Sequence, residues 1–266
     1  MLNIELLTKQ VVNVSRATGN YLKSEIRKIS ESDIQTKGLN NFVTYVDKTT
    51  EQKLVADLHL LLPEAGFIAE ENQSLQRNEI YNWIIDPIDG TTNFIHHVPL
   101  YSISIALMER NNLVLGVVYE PNLQECFYAW KNGGAFMNGQ KVEVSKIRTL
   151  KDSLLATGFP YYDYGKLDEY IVLFKYLMEN THGLRRLGSA AVDLAYCACG
   201  RFEGFYEYGL SPWDVAAGAL IVQESGGSVS DFNGGNNYIF GGELVSSNPF
   251  IHDELMKVIK SHFIRK

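Results

Sequence analysis

Trp83-Ile84-Ile85-Asp86-Pro87-Ile88-Asp89-Gly90-Thr91-Thr92-Asn93-Phe94 is the stretch on which the reading of the whole chain turns. Asn82 to Ile85 reads as a short buried strand that runs straight into Asp86. Two carboxylates three residues apart then stand at a strand end. Pro87 stiffens the backbone between them, so that both can converge on one point. Gly90 permits a tight turn and the close approach of a ligand to the main chain. A short helix opening at Thr91 would turn unpaired amides toward a phosphate oxygen. Hard oxygen donors are what Mg2+ requires, with waters and substrate phosphate completing its octahedron. Taken alone, the string fits a turn rich in Asp, Gly and Thr equally well.

Three further acidic positions bear on that choice. Glu70 lies in Phe67-Ile68-Ala69-Glu70-Glu71-Asn72, directly after an apolar run, where an acidic pair is out of place in a plain strand. Asp47 follows Val43-Thr44-Tyr45-Val46 at an expected helix start, and Asp214 follows Trp213 ahead of the helical run to Glu224. Both fit a helix N-cap as well as they fit a site. Each is weak evidence by itself.

Together these strings are matched by a known family. The first resembles one signature of the inositol monophosphatase family, and Trp213-Asp214-Val215-Ala216-Ala217-Gly218, continued to Glu224-Ser225-Gly226-Gly227, resembles the other. Val43-Thr44 with Asp47, Glu70-Glu71 and Gly188-Ser189-Ala190-Ala191 fall in the family's order, so the likeness covers nearly the whole chain. It implies that Glu70, Asp86, Asp89 and Asp214, with the Ile88 carbonyl, bind two or three Mg2+ ions. It implies that Asp47 and Thr91, with Glu70, prepare the attacking water. The amides of Gly90 and Thr91 would hold phosphate, and Asp89, Ala190 and Glu207 would meet the substrate's hydroxyls. A homodimer and lithium sensitivity are implied on the same ground. Three positions depart from the usual pattern: Asn41 in place of Asp, Ala69 in place of Gly, and Asn72 in place of Ser. None removes a ligand, and all bear on the geometry around Glu70.

Outward from the motifs, the pattern predicts helices over Leu2–Ile29 and Lys48–Leu62 by apolar spacing. Strands are expected over Tyr101–Met108, Leu113–Tyr119 and Glu125–Trp130, with tight turns at Gly133-Gly134 and Asn138-Gly139. Beyond Ser153, strands at Leu154–Thr157, Leu184–Leu187, Phe202–Tyr208 and Leu244–Ser246 alternate with helices. Those helices span Leu167–Glu179, Ser189–Cys199, Asp214–Glu224 and Pro249–Ile264. The expectation is an α+β half (1–150) with an antiparallel sheet and the first metal motif. An α/β half (151–266) with the second motif would join it in one compact unit sharing a cleft. By resemblance this is the layered αβαβα sandwich of the inositol monophosphatase and fructose-1,6-bisphosphatase type.

Composition narrows the remaining classes. The 266 residues carry a net charge of −7, which argues against a broad basic surface for nucleic acid. Three cysteines without a CxxC pair, and a first thirty residues lacking a continuous apolar run, set the expectation of a reducing, cytoplasmic protein with no membrane segment. No GxSxG elbow supports Ser/His/Asp chemistry, and His96 and His97 lack metal-site spacing. Glu207 suits a polyhydroxylated partner, because it can accept hydrogen bonds from sugar or cyclitol hydroxyls and repels a second phosphate. The expected reaction is Mg2+-dependent hydrolysis of a small phosphomonoester, myo-inositol monophosphate first. The alternatives are fructose 1,6-bisphosphate, histidinol phosphate, a 3′-phosphonucleotide, or a regulatory binding protein that keeps the fold.

Overall fold

The computed structural model describes residues 2–38, 41–160 and 164–263; Ile264, the expected end of the last helix, lies outside them. Asn3 opens α1 (Ile4–Glu25) by accepting the Leu6 amide on its side chain, and Leu7, Val11 and Leu22 form the buried stripe. An antiparallel pair, β1 (Gln35–Gly38) and β2 (Asn41–Val43), leads into α2 (Tyr45–Leu61). Next come β3 (Gly66–Ala69), β4 (Tyr81–Asp89), the short α3 (Thr91–Ile95), β5 (Ser102–Glu109), β6 (Asn112–Glu120) and β7 (Glu125–Trp130). The first half closes with β8 (Gly134–Met137) and β9 (Gln140–Val142). The second half runs β10 (Leu154–Thr157), α4 (Leu167–Asn180), β11 (Gly183–Arg185), α5 (Ala190–Ala198) and β12 (Gly204–Tyr208). It ends with α6 (Pro212–Glu224), β13 (Ser228–Ser230), β14 (Glu243–Ser247) and α7 (His252–His262).

Two sheets result. One has the order β3-β4-β5-β6-β7-β8-β9, the other β11-β10-β12-β14-β13. The expected antiparallel sheet is mixed, because β3 pairs parallel with β4. In the second sheet β10, β11 and β12 are parallel, while β14 runs antiparallel to both its neighbours.

Period-two alternation sorts the strand side chains into layers. Along β4, Trp83 and Ile85 join the cluster under α1 and α2, while Ile84 faces the other way, toward α5 and α6. Along β12, Phe205 faces α5 and α6, and Tyr206 faces α4 and α7. Helix pair, sheet, helix pair, sheet, helix pair is the αβαβα sandwich. The central helices touch both sheets, so every residue of α5 is buried, and Val215 through Val222 of α6 are buried too. Both run into the sandwich from the edge where β4, β10 and β12 end.

Helix starts differ from expectation in an instructive way. α2 and α6 each begin earlier, at Tyr45 and Pro212, because Thr44 and Ser211 are the N-caps. Asp47 and Asp214 are therefore not N-caps but the third helical residues, whose carboxylates close capping boxes. Among the described residues no helix is long and apolar enough to cross a membrane.

Candidate active site

A regular strand would aim residues three apart at opposite faces. β4 avoids this with an extra residue: Asp86 pairs with Ser104 and Asp89 with Ser102, so three steps on β4 match two on β5. The irregularity falls at Pro87-Ile88 and turns both carboxylates the same way. Asp214 arrives from the first turn of α6. One oxygen from each of Asp86, Asp89 and Asp214 lies within 4.8 Å of the others. Glu70 follows the last residue of β3, and the parallel pairing of Ala69 with Ile85 sets it alongside Asp86.

Each carboxylate is also held by the protein. Asp86 Oδ1 accepts the Ile88 amide at 2.8 Å. Asp89 Oδ2 accepts the Ser189 hydroxyl at 2.6 Å and the Ala191 amide at 2.7 Å, at the opening of α5. Asp214 Oδ2 accepts the Ser211 amide at 2.6 Å. Burial and mutual repulsion keep the cluster's carboxyls basic. Asp86 sits well above the usual range through burial first, then Glu70, Asp89 and Asp214. Asp214 is raised well above it by burial and then Asp89. Burial lifts Asp89 to about 6 against its hydrogen bonds.

Asp47 is fully buried and works at both oxygens. Its Oδ2 accepts the Thr44 amide at 2.8 Å and the Thr44 hydroxyl at 2.7 Å. Its Oδ1 lies 3.1 Å from Thr91 Oγ1, which is also 3.0 Å from the Ile88 carbonyl oxygen. The capping box and the site are thus one network. Gly90 precedes α3 with φ 99°, and a Cβ there would meet the Gly188 carbonyl oxygen at 3.0 Å. Both the positive φ and the close approach require glycine.

Across the cavity stand α5 and β12. Glu207 is 7% exposed, and burial pushes its carboxyl up to about 8, with Arg186 opposing. A Cβ on Gly158 would fall 1.9 Å from the Glu207 carboxyl carbon, so that side chain lies directly on the main chain of the β10 end. Ala190, the first residue of α5, lines the same wall. The cavity these residues enclose measures about 290 Å³, at the low end for ligand pockets and fitted to a small molecule.

The structure gathers Glu70, Asp86, Ile88, Asp89, Gly90, Thr91, Ala190, Glu207 and Asp214 around one cavity, with Asp47 behind Thr91. Glu70 borders it outside the three-carboxylate group. Asn72 shapes the loop after Glu70 by accepting the Ser74 amide at 3.2 Å. His96 and His97 are exposed and line no part of it. Arg185 is exposed and donates to the Leu184 carbonyl, whereas Arg186 lines the cavity. Two residues of the site have no role in the motif pattern: Ser189, which grips Asp89, and Asp193, in the first turn of α5. A lone acid inside Ala190-Ala191-Val192-Asp193-Leu194-Ala195 was the signal for the latter.

The donor set is all oxygen and mostly anionic, held in place and electrostatically unfavourable when charged without a cation. That chemistry fits a divalent, hard metal ion.

Comparison with known proteins gives one family and two kinds of name within it. The family model described as the inositol monophosphatase family matches residues 3–263. The chain is 37% identical over 255 residues to an inositol-1-monophosphatase of Mesorhizobium japonicum, covering 96% of each. It is 40% identical over 267 residues to a Nus factor SuhB of Pseudomonas aeruginosa, covering 98% of this chain and 96% of that one. Among solved structures, the inositol monophosphatase from Anabaena superposes with a TM-score of 0.88 at 33% identity, covering 98% of both chains. The Thermotoga maritima IMPase gives 0.86 at 34%, covering 94% of this chain and 95% of that one.

Proposed function

The chain belongs to the inositol monophosphatase family, and from that premise we propose that it hydrolyses a small phosphomonoester with Mg2+, myo-inositol monophosphate being the first candidate. The observation that carries the reading is the convergence of Asp86, Asp89 and Asp214 within 4.8 Å beside a small cavity. Asp86, Asp89, Asp214, Glu70 and the Ile88 carbonyl would hold the metal ions. Bound there, Mg2+ supplies an acidified water and neutralises charge on the phosphoryl group and the leaving oxygen.

The chain's own groups do the rest. Thr91 Oγ1, steadied by Asp47 Oδ1, is placed to orient the attacking water. The turn at Gly90-Thr91 offers main-chain amides to the phosphoryl oxygens. Ser189 and the Ala191 amide fix Asp89, so the carboxylate does not rotate as charge shifts. Glu207 reads hydroxyls of the leaving alcohol. In-line displacement asks for positioning and charge neutralisation, and the reading needs no covalent intermediate on the protein.

Phosphate release from a panel of phosphomonoesters, with and without Mg2+, tests the reading. Metal-dependent turnover with the highest kcat/KM on a cyclitol phosphate is expected. Absence of turnover on every ester would reject it. A second reading has one observation behind it: a relative covering almost the whole chain is named a Nus factor. On that reading the fold serves a macromolecular partner, and a variant without phosphatase activity would keep its biological role.

A further inference from the structure

α5 is an apolar helix with one exception. Every residue from Ala190 to Ala198 is buried, and Asp193 is 1% exposed. Its Oδ1 has no hydrogen-bond partner. An acid in the first turn interacts favourably with the helix dipole, but weakly. Removing a carboxyl from water without a partner is unfavourable by a wider margin. No hydrogen bond of the helix needs the acid either, since α5 is capped by the Ser189 side chain, which accepts the Val192 amide. The residue is therefore placed against the interest of the fold, which marks functional positions.

Its surroundings say what it serves. Asp193 lines the cavity together with Glu207, Arg186, Gly158 and Ala190, on the wall formed by α5 and β12. Burial first, then Glu207 and Asp89, disfavour its charge, and Arg186 favours it. Gly158 lets Glu207 lie flat on the β10 end, which leaves the wall lined by two carboxyl groups and a guanidinium. A cavity wall of this composition offers hydrogen-bond acceptors in excess.

We infer that Asp193 is a second specificity residue beside Glu207, and that its unpartnered oxygen accepts a hydrogen bond from a hydroxyl of the leaving alcohol. The substrate class that follows is a monophosphate of a polyol carrying at least two free hydroxyls near the phosphorylated carbon. Simple alkyl and aryl phosphates leave the carboxyl unpaired. The inference rests on the phosphatase reading above and deepens it.

The test compares wild type, Asp193→Asn and Asp193→Leu on two esters with Mg2+: myo-inositol 1-phosphate and 4-nitrophenyl phosphate, whose leaving group has no further hydroxyl. The ratio of kcat/KM for the cyclitol ester over the aryl ester is expected to fall about tenfold or more in Asp193→Leu, chiefly through KM. Asp193→Asn, which keeps an acceptor oxygen in the same shape, should retain part of the discrimination. The Leu variant should melt close to wild type, because the lost attraction to Arg186 is set against removal of a buried oxygen without a hydrogen-bond partner. A ratio unchanged within twofold in both variants overturns the inference. So does an equal loss on both esters accompanied by a lower Tm, which marks a purely structural role. Failure of wild type to turn over either ester overturns the phosphatase reading itself, an outcome distinct from an unchanged ratio.

Discussion

Asp89 meets two demands at once. Its Oδ2 takes hydrogen bonds from Ser189 and Ala191 and so ties the end of β4 to the start of α5. Its carboxyl also belongs to the three-acid group beside the cavity. An amide can meet the first demand and not the second. Asp89→Asn should therefore lower kcat in Mg2+ by at least about a hundredfold, the upper range for disturbing even an outer metal partner. Its Tm without metal should be no lower than the parent's, because a buried charge is gone. Steady-state kinetics with thermal melting checks both, and retention of more than a tenth of the activity would remove Asp89 from the proposed ligand set. At this scale the acids were legible only together: each string alone fits a turn or an N-cap, and their order along the chain, matched to the family, is what joined them. Asp193 was not. Whether a helix side chain faces a cavity depends on Gly158 and Glu207, contributed by other strands, and no local string records that.

Elements carry the same double duty. α2 begins with a box in which Thr44 Oγ1 accepts the Val46 amide at 3.0 Å and donates to Asp47 Oδ2. Asp47 in turn reaches Thr91. Thr44→Ala should cost about 1 kcal/mol of stability as a lost cap, lowering Tm by roughly 2–4 °C for a chain of this size class. It should also lower kcat severalfold, because Asp47 loses a hydroxyl that fixes it. Thr44→Ser should preserve both quantities. Melting and kinetics on the pair check this, and an unchanged kcat in the Ala variant would separate the cap from the site. The box explains why α2 and α6 start earlier than the apolar pattern predicts: the cap is a hydroxyl residue three positions before the acid. Long amphipathic segments such as α1 and strong strands such as β7 and β10 were legible from periodicity. β8, β9 and β13 were not, because three or four half-exposed residues carry too little alternation. The parallel β3 escaped notice too, since a fully buried strand has no alternation.

Across the whole molecule, the sandwich spends stability on its acidic centre. Asp86, Asp89 and Asp214 meet where the first sheet approaches α6, and Asp193 and Glu207 stand on the facing wall. All five are raised above their ordinary values, Asp89 to about 6 and Glu207 to about 8, with burial the first cause throughout. A raised carboxyl binds its proton more tightly folded than unfolded. Its contribution to stability is then fully present below the unfolded pKa and is lost as pH rises through the folded one. Without metal, the protein should melt lower at pH 8.5 than at pH 5.5, by about 5 °C or more. This is the reverse of a fold held together by exposed ion pairs. Divalent cations oppose the trend, because ligands release protons on binding and affinity grows with pH. Saturating Mg2+ should raise Tm most at pH 8.5 and narrow or invert the gap between the two pH values. Scanning fluorimetry in a chelator and in Mg2+ at both pH values measures the four quantities. A gap that Mg2+ leaves untouched would mean that the acids are not the ion's ligands, while a metal-free protein more stable at pH 8.5 would mean that their burial is offset elsewhere in the fold.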